Sequence, residues 1–218
     1  GIGHFALAPS FQSSAPGIVD LAQVRVMVTR ISDETIALDT VVEIVPGSDS
    51  LDLALTVEVS SPDEQFRVTM DFVNPAGDTV FTGGPITVTA SQDAVAAPEP
   101  VEMDIEYVGT GHNATAVEIA APDTNAWFGD TLQLTASAMD DQGEVIDSTP
   151  IAWSSNDTLR ARVPDARAGR IVCGNSRGAA RIFATLLTDQ ADTIEVLVQP
   201  VPTVASISSG NEQAGEVG

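Results

Sequence analysis

The chain has 218 residues, 43% of them apolar, and 31 acids against 9 bases give it a net charge of −22. That apolar share supports a real core rather than wholesale disorder, while the acidity excludes a phosphate-neutralising nucleic-acid surface and disfavours an anionic membrane face. There is no lysine and one cysteine, Cys173, so Schiff-base chemistry, a phosphate-binding P-loop and an intrachain disulfide are excluded as well.

The chain starts at Gly1 without a signal-like segment, which predicts a processed or excerpted product. From His4 to Phe11 apolar residues alternate, then run into Ser13-Ser14-Ala15-Pro16-Gly17. Residues 1–17 are thus a short strand on a leash. It has two possible destinations: its own domain as a first strand, or an exposed sheet edge of a neighbour, anchored by Phe5, Leu7 and Phe11.

Residues 18–108 carry strand signals. Val24, Val26 and Val28 alternate with Arg25, Met27 and Thr29; the same period of two runs from Leu51 to Val59, from Phe66 to Phe72 and from Val101 to Tyr107. Such alternation puts one set of side chains in a core and the other in water. In the last run the water face is Glu102, Asp104 and Glu106. Further strands fit 35–44, 79–82 and 85–90, and 91–100 reads as a long loop. Turn formers at 46–49, 60–63 and 74–78 separate the runs. About seven short strands at this spacing predict an antiparallel sandwich.

Residues 109–114 read as a linker. A second strand series follows at 115–120, 131–139, 150–154, 161–163, 170–173, 179–187 and 192–199, a second sandwich over 115–200. Trp153 beside Ile151 fits the core aromatic of a central strand. Residues 201–218 form a strand-like extension, in which Val204-Ala205-Ser206-Ile207-Ser208 echoes Ala116-Val117-Glu118-Ile119-Ala120. The longest apolar runs fall short of the ~20 residues of a membrane helix, so no direct membrane insertion is expected.

The second series has a recognisable order. Gly129-Asp130-Thr131-Leu132-Gln133-Leu134-Thr135-Ala136 is followed by a turn from Asp140 to Gly143, then Trp153-Ser154-Ser155-Asn156-Asp157, Ala168-Gly169-Arg170-Ile171-Val172 and Arg177-Gly178-Ala179-Ala180-Arg181-Ile182. It resembles the bacterial immunoglobulin-like domains that stand in tandem on surface and secreted proteins. The resemblance covers about 85 residues, with Ala180 where such domains often carry threonine, and 203–218 looks like the opening of another such module. It implies an all-β chain of two tandem immunoglobulin-like antiparallel β-sandwiches with strand-like ends, located outside the cell or on its surface.

Catalysis finds little to work with. His4 and His112 lie in no nucleophile motif, and Cys173, after Ile171 and Val172, reads as a buried thiol. No catalytic residue, cofactor or enzymatic activity is expected. Calcium is the one plausible ion, with Asp140, Asp141 and Glu144 clustered at a hairpin and Asp20, Asp123 and Asp130 flanking domain entrances; ordinary turn chemistry accounts for the same residues.

Charge is unevenly spread. Residues 1–108 hold 17 acids and 3 arginines, whereas 109–218 hold 14 acids and 6 arginines, all six between Arg160 and Arg181. A solvated surface is the plain reading. The functional one is head-to-tail contact, with Arg160, Arg162 and Arg167 meeting the acidic first domain of the next copy and Ile207 and Val217 serving as strand anchors. The expected function is therefore a non-enzymatic structural subunit of a surface fibre or stalk, partnered by its own copies or by neighbouring immunoglobulin-like modules. The alternative is an adhesive or carbohydrate-binding accessory module, for which Trp127 beside Phe128 is the sole candidate platform.

Overall fold

The computed structural model describes residues 1–13, 15–44, 53–92, 99–121 and 123–202. The anchors Ile207 and Val217, and the expected third module opening, lie outside them. The described residues are all-β apart from one turn of 3-10 helix at Pro16–Ile18.

The amino-terminal half contributes β1 (Ile2–Phe11), β2 (Gln23–Arg30), β3 (Ile36–Glu43), β4 (Leu53–Glu58), β5 (Asp63–Val73), β6 (Thr79–Ser91) and β7 (Val101–Tyr107). They hydrogen-bond as one sheet in the order β3-β2-β5-β6-β7-β1-β4. The inward residues of this sheet meet in one cluster, so the two layers are a single sheet folded over its own core. Phe66, Phe72, Phe81, Met70, Met103 and Leu7 fill that core.

The carboxy-terminal half contributes β8 (Ala116–Ala120), β9 (Asn125–Trp127), β10 (Thr131–Gln133), β11 (Thr135–Met139), β12 (Ile151–Ser155), β13 (Ala161–Arg162), β14 (Arg170–Cys173), β15 (Gly178–Leu186) and β16 (Ala191–Gln199). One layer pairs β11 with β8 and orders β10-β14-β13; the facing layer is β12-β15-β16-β9. This is the division of strands between the two sheets of an immunoglobulin-type sandwich. Trp153, 5% exposed, lies in the enclosed core among Leu134, Ile171, Ile182 and Val198.

Three details differ from expectation. The strands foreseen at 79–82 and 85–90 are one strand, β6, whose pairing with β5 shifts register between Val68 and Met70. The shift sits at Gly84, with φ +85°, where a Cβ would come within 2.5 Å of the Val68 carbonyl oxygen; only glycine allows the strand through. The strand foreseen at 131–139 is split at Leu134, whose N–H turns to the Gly169 carbonyl, 2.7 Å away. Two pairings, β1 with β7 and β9 with β16, are parallel. In each case a strand beside the chain's entry inserts next to the last strand of its half.

Register also fixes direction. In the second half Ala116 faces Met139 and Ala120 faces Thr135. Residues 140–150, 163–169 and 187–190 therefore lie at the end near the first core, and 121–130, 156–160, 174–177 and 200–202 at the far end. In the first half Phe11 and Tyr107 are at the junction, while Gly1, 30–36 and 58–63 are at the opposite end.

Candidate functional site: the junction and the exposed ends

The amino-terminal strand stays at home. β1 lies between β7 and β4, with Leu7 opposite Leu53 and Phe5 opposite Leu55. Phe5 and Leu7 are 2% and 1% exposed in the first core, and Phe11 meets Phe72 and Phe81 edge-to-face at 5.1 Å. The expectation that these three anchor a neighbour is corrected accordingly. Stripping them from their own core would expose apolar surface that a sheet edge elsewhere does not replace.

The arginines do not form one patch. Arg160 pairs with Asp157 in its own loop, and its Nε donates to the Arg177 carbonyl at 3.1 Å. Arg167 reaches the other half of the chain: its Nη1 and Nη2 donate to the two Asp20 oxygens at 3.0 and 2.6 Å. This fork-to-carboxylate geometry is bidentate. The Arg167 hydrogen bond, then its charge, holds the Asp20 carboxyl below the usual range. Arg162 and Arg170 share the outer face of the β10-β14-β13 sheet, since Arg162 faces Val172, two residues from Arg170. Arg181 stands opposite Glu195 on the facing sheet. Arg160 and Arg167 thus correct to intrachain contacts, while Arg162, Arg170, Arg177 and Arg181 make no ion pair among the described residues.

The junction has parts the sequence reading missed. Leu187, in the β15–β16 turn, is 3% exposed and belongs to the first core although it comes from the second half. Beside it, the segment after β1 brings Ile18 to a cleft of about 340 Å³ lined also by Leu134, Pro150, Ile151, Trp153 and Arg167. The connection at 108–114 is tied down as well: Val108 N donates to the Val80 carbonyl, and Tyr107 Oη to the Thr110 carbonyl at 2.7 Å. Burial pushes the Tyr107 hydroxyl up to about 12.

Other candidates resolve individually. The Asp140 carboxylate accepts from the backbone N–H of Gln142 and of Glu144, both at 2.9 Å, which makes it the organiser of a hairpin turn. With Asp141 and Glu144 exposed, no group of three or more metal-ligating side chains gathers there or elsewhere among the described residues. Asp123 likewise accepts from Asn125 N at 2.9 Å, and Asp130 from Trp127 N at 2.9 Å. Cys173 is buried, and burial raises its thiol. Phe128 packs on the second core while Trp127 is 43% exposed on the β9–β16 edge.

No protein-family model and no curated protein matches the sequence. Among solved structures, the chain is similar to a C-terminal 282-residue fragment of intimin, crystallised with the intimin-binding domain of its translocated receptor. Identity is 15%, TM-score 0.28, over 82% of this chain and 52% of that one. It is also similar to domains 4 and 5 of the S-layer protein SbsC, at 14% identity, TM-score 0.31, over 83% and 99%, and to a β-glycosidase from Bacteroides vulgatus, at 9% identity, TM-score 0.32, over 90% and 25%. The chain thus spans about half of the intimin fragment and a quarter of the glycosidase.

Proposed function

We propose that this chain is a non-enzymatic structural unit of an extracellular or cell-surface fibre or stalk, made of two β-sandwich modules, 2–108 and 115–200, set in series. One observation carries the reading. The junction is fastened at three separate points, by Leu187 in the first core, by Arg167 on Asp20 and by the bonded connection at 108–114. A connection of that kind transmits force and orientation, whereas a flexible leash between independently acting modules needs none of it. High like charge keeps such units soluble and spaced apart. The partners are further copies or neighbouring modules of the same type. Electron microscopy of the purified protein tests this: short rods of constant two-module length, or fibres with that axial repeat, are expected. Particles whose two lobes take all relative angles would overturn it.

A second reading, an adhesive or carbohydrate-binding module, is favoured by Trp127 alone. Its exposed ring lies on a sheet face with Leu197 nearby, and an aromatic face of that kind stacks on a sugar ring. Retention of the wild type but not Trp127→Ala on an immobilised polysaccharide would favour it.

A further inference from the structure

A stalk carries tension along its axis, and strand direction decides how this chain answers it. Load applied at Gly1 and beyond Gln199 enters the first half at its far end and leaves through Tyr107 at the junction. β1 is then drawn one way and β7 the other. The two strands are parallel, with Leu7 to Phe11 against Val101 to Ile105. The load therefore runs along the ladder, and its hydrogen bonds resist together rather than in turn. The other edge of β1 is gripped as well, by Ile2 to Leu7 against Glu58 to Leu53. Sliding β1 out breaks both ladders and withdraws Phe5 and Leu7, 2% and 1% exposed, from the first core.

In the second half the load enters at Ala116 and leaves through Gln199. The corresponding parallel pair is β9 with β16, again loaded along its length, but it covers only Asn125 to Trp127 against Leu197 to Gln199. Leu197 N donates to the Thr124 carbonyl at 2.8 Å and Phe128 N to the Gln199 carbonyl at 2.9 Å, at the two ends of that ladder. Among the described residues β9 is an edge strand, and it buries Ala126 between exposed Asn125 and Trp127. β8, which carries the load to it, pairs with β11 alone among the described residues. Its one buried side chain is Val117, and Ile119 N ties it to the Asp192 carboxylate at 2.8 Å.

We infer that the chain bears tension in a graded way: the second half yields first and releases length, while the first half keeps its grip. This inference rests on the series reading and adds how the unit answers load. Both halves are loaded in shear, so the order follows from the size of the grip. In the first half it is a strand of ten residues, held on both edges and seated by a buried ring and a buried leucine. In the second it is an edge strand of three residues around one alanine, fed by a strand bonded on one edge. Forced unfolding follows the barrier to rupture rather than total stability, so the strand that must move first decides which half opens.

The test is optical-tweezers stretching of the whole chain with handles at residues 1 and 218. Two main ruptures are expected, distinguished by length: drawn out, residues 116–199 release about 250 Å and residues 1–107 about 330 Å. The 250 Å step is expected at the lower force. A 330 Å step at the same or a lower force overturns the order. Shear itself is tested by moving the handles to Gln142→Cys and Gln190→Cys, both exposed at the junction end of the second half, with far-UV circular dichroism confirming the fold. Pulled there, the layers peel apart from one end, and the second half is expected to open at about half the force or less, because its bonds fail in turn. Equal force in the two directions overturns the shear grip. The series reading fails separately, through freely varying lobe angles in electron microscopy, whatever the rupture forces are.

Discussion

The two halves solve the same packing problem with different means. The first wraps one continuous seven-stranded sheet around large side chains, among them Phe66, Phe72 and Phe81, all at most 1% exposed. The second sets two layers against each other over many small residues, Ala138, Ala161, Ala180 and Ala184, with Trp153 as the aromatic ring buried among its described residues. Small residues let the layers approach, but they leave little contact area per residue. The first core therefore spreads its stabilisation over several rings, whereas the second concentrates it in one.

That contrast can be broken most directly at the rings. Trp153→Ala is expected to cost about 3–5 kcal/mol and to lower the unfolding transition of the second half. Phe72→Ala is expected to cost a similar amount from the first, where Phe11 and Phe81 remain to shrink the void. Differential scanning calorimetry separates the outcomes. If either substitution lowers one common transition, the halves unfold as a single unit and the contrast is only local.

Leu187→Ala sharpens the comparison from the other side. A buried leucine typically loses about 2–5 kcal/mol on truncation, and here the loss is expected in the first half's transition although the residue belongs to the second. Hydrogen exchange of β1 and β5 amides should rise along with it. No change there would mean that the turn merely rests on the first half.

Gly169→Ala comes next. A Cβ at 169 would collide with the Leu134 carbonyl and lie 3.0 Å from the Trp153 ring. Crowding of that kind costs about 1–3 kcal/mol. The effect is expected in the second half alone, read from urea unfolding followed by tryptophan fluorescence.

How far these features were legible depends on whether a residue's partner was near in sequence. Val24, Val26 and Val28 announce an inward face by their spacing, and they are fully buried. Trp153 could be placed because its neighbours and the flanking glycines follow a known order. Leu187 and Asp20 could not, because each is defined by a partner in the other half. Leu187 follows a legible strand and looked like the end of it. Asp20 stood out only as an acid at a domain entrance, and only folding brings Arg167 to it across 147 positions. The arginine window misled for the opposite reason. Residues 160–181 are close in the chain, but they cross the sandwich, so Arg162 and Arg181 end on opposed sheets.

The smallest expected effect concerns that Asp20–Arg167 pair. The Arg167 side chain is 47% exposed and that of Asp20 66%, so water and salt screen their attraction. Its direction with pH is still fixed. Asp20 is held below the usual carboxylate range by the Arg167 hydrogen bond and charge, so the folded form binds its proton more weakly than the unfolded chain does. The contribution is then fully present above the ordinary aspartate value of about 3.9 and is lost as pH falls through the lowered folded value. A double-mutant cycle of Asp20→Asn and Arg167→Gln is expected to give a small favourable coupling near neutral pH, fading as pH falls below the ordinary aspartate range and in high salt. Leu187→Ala should leave that coupling in place if the two contacts fasten the junction independently. If removing Leu187 abolishes it, the ion pair is only a passenger on the apolar contact, and the junction has two independent fastenings where the geometry displays three.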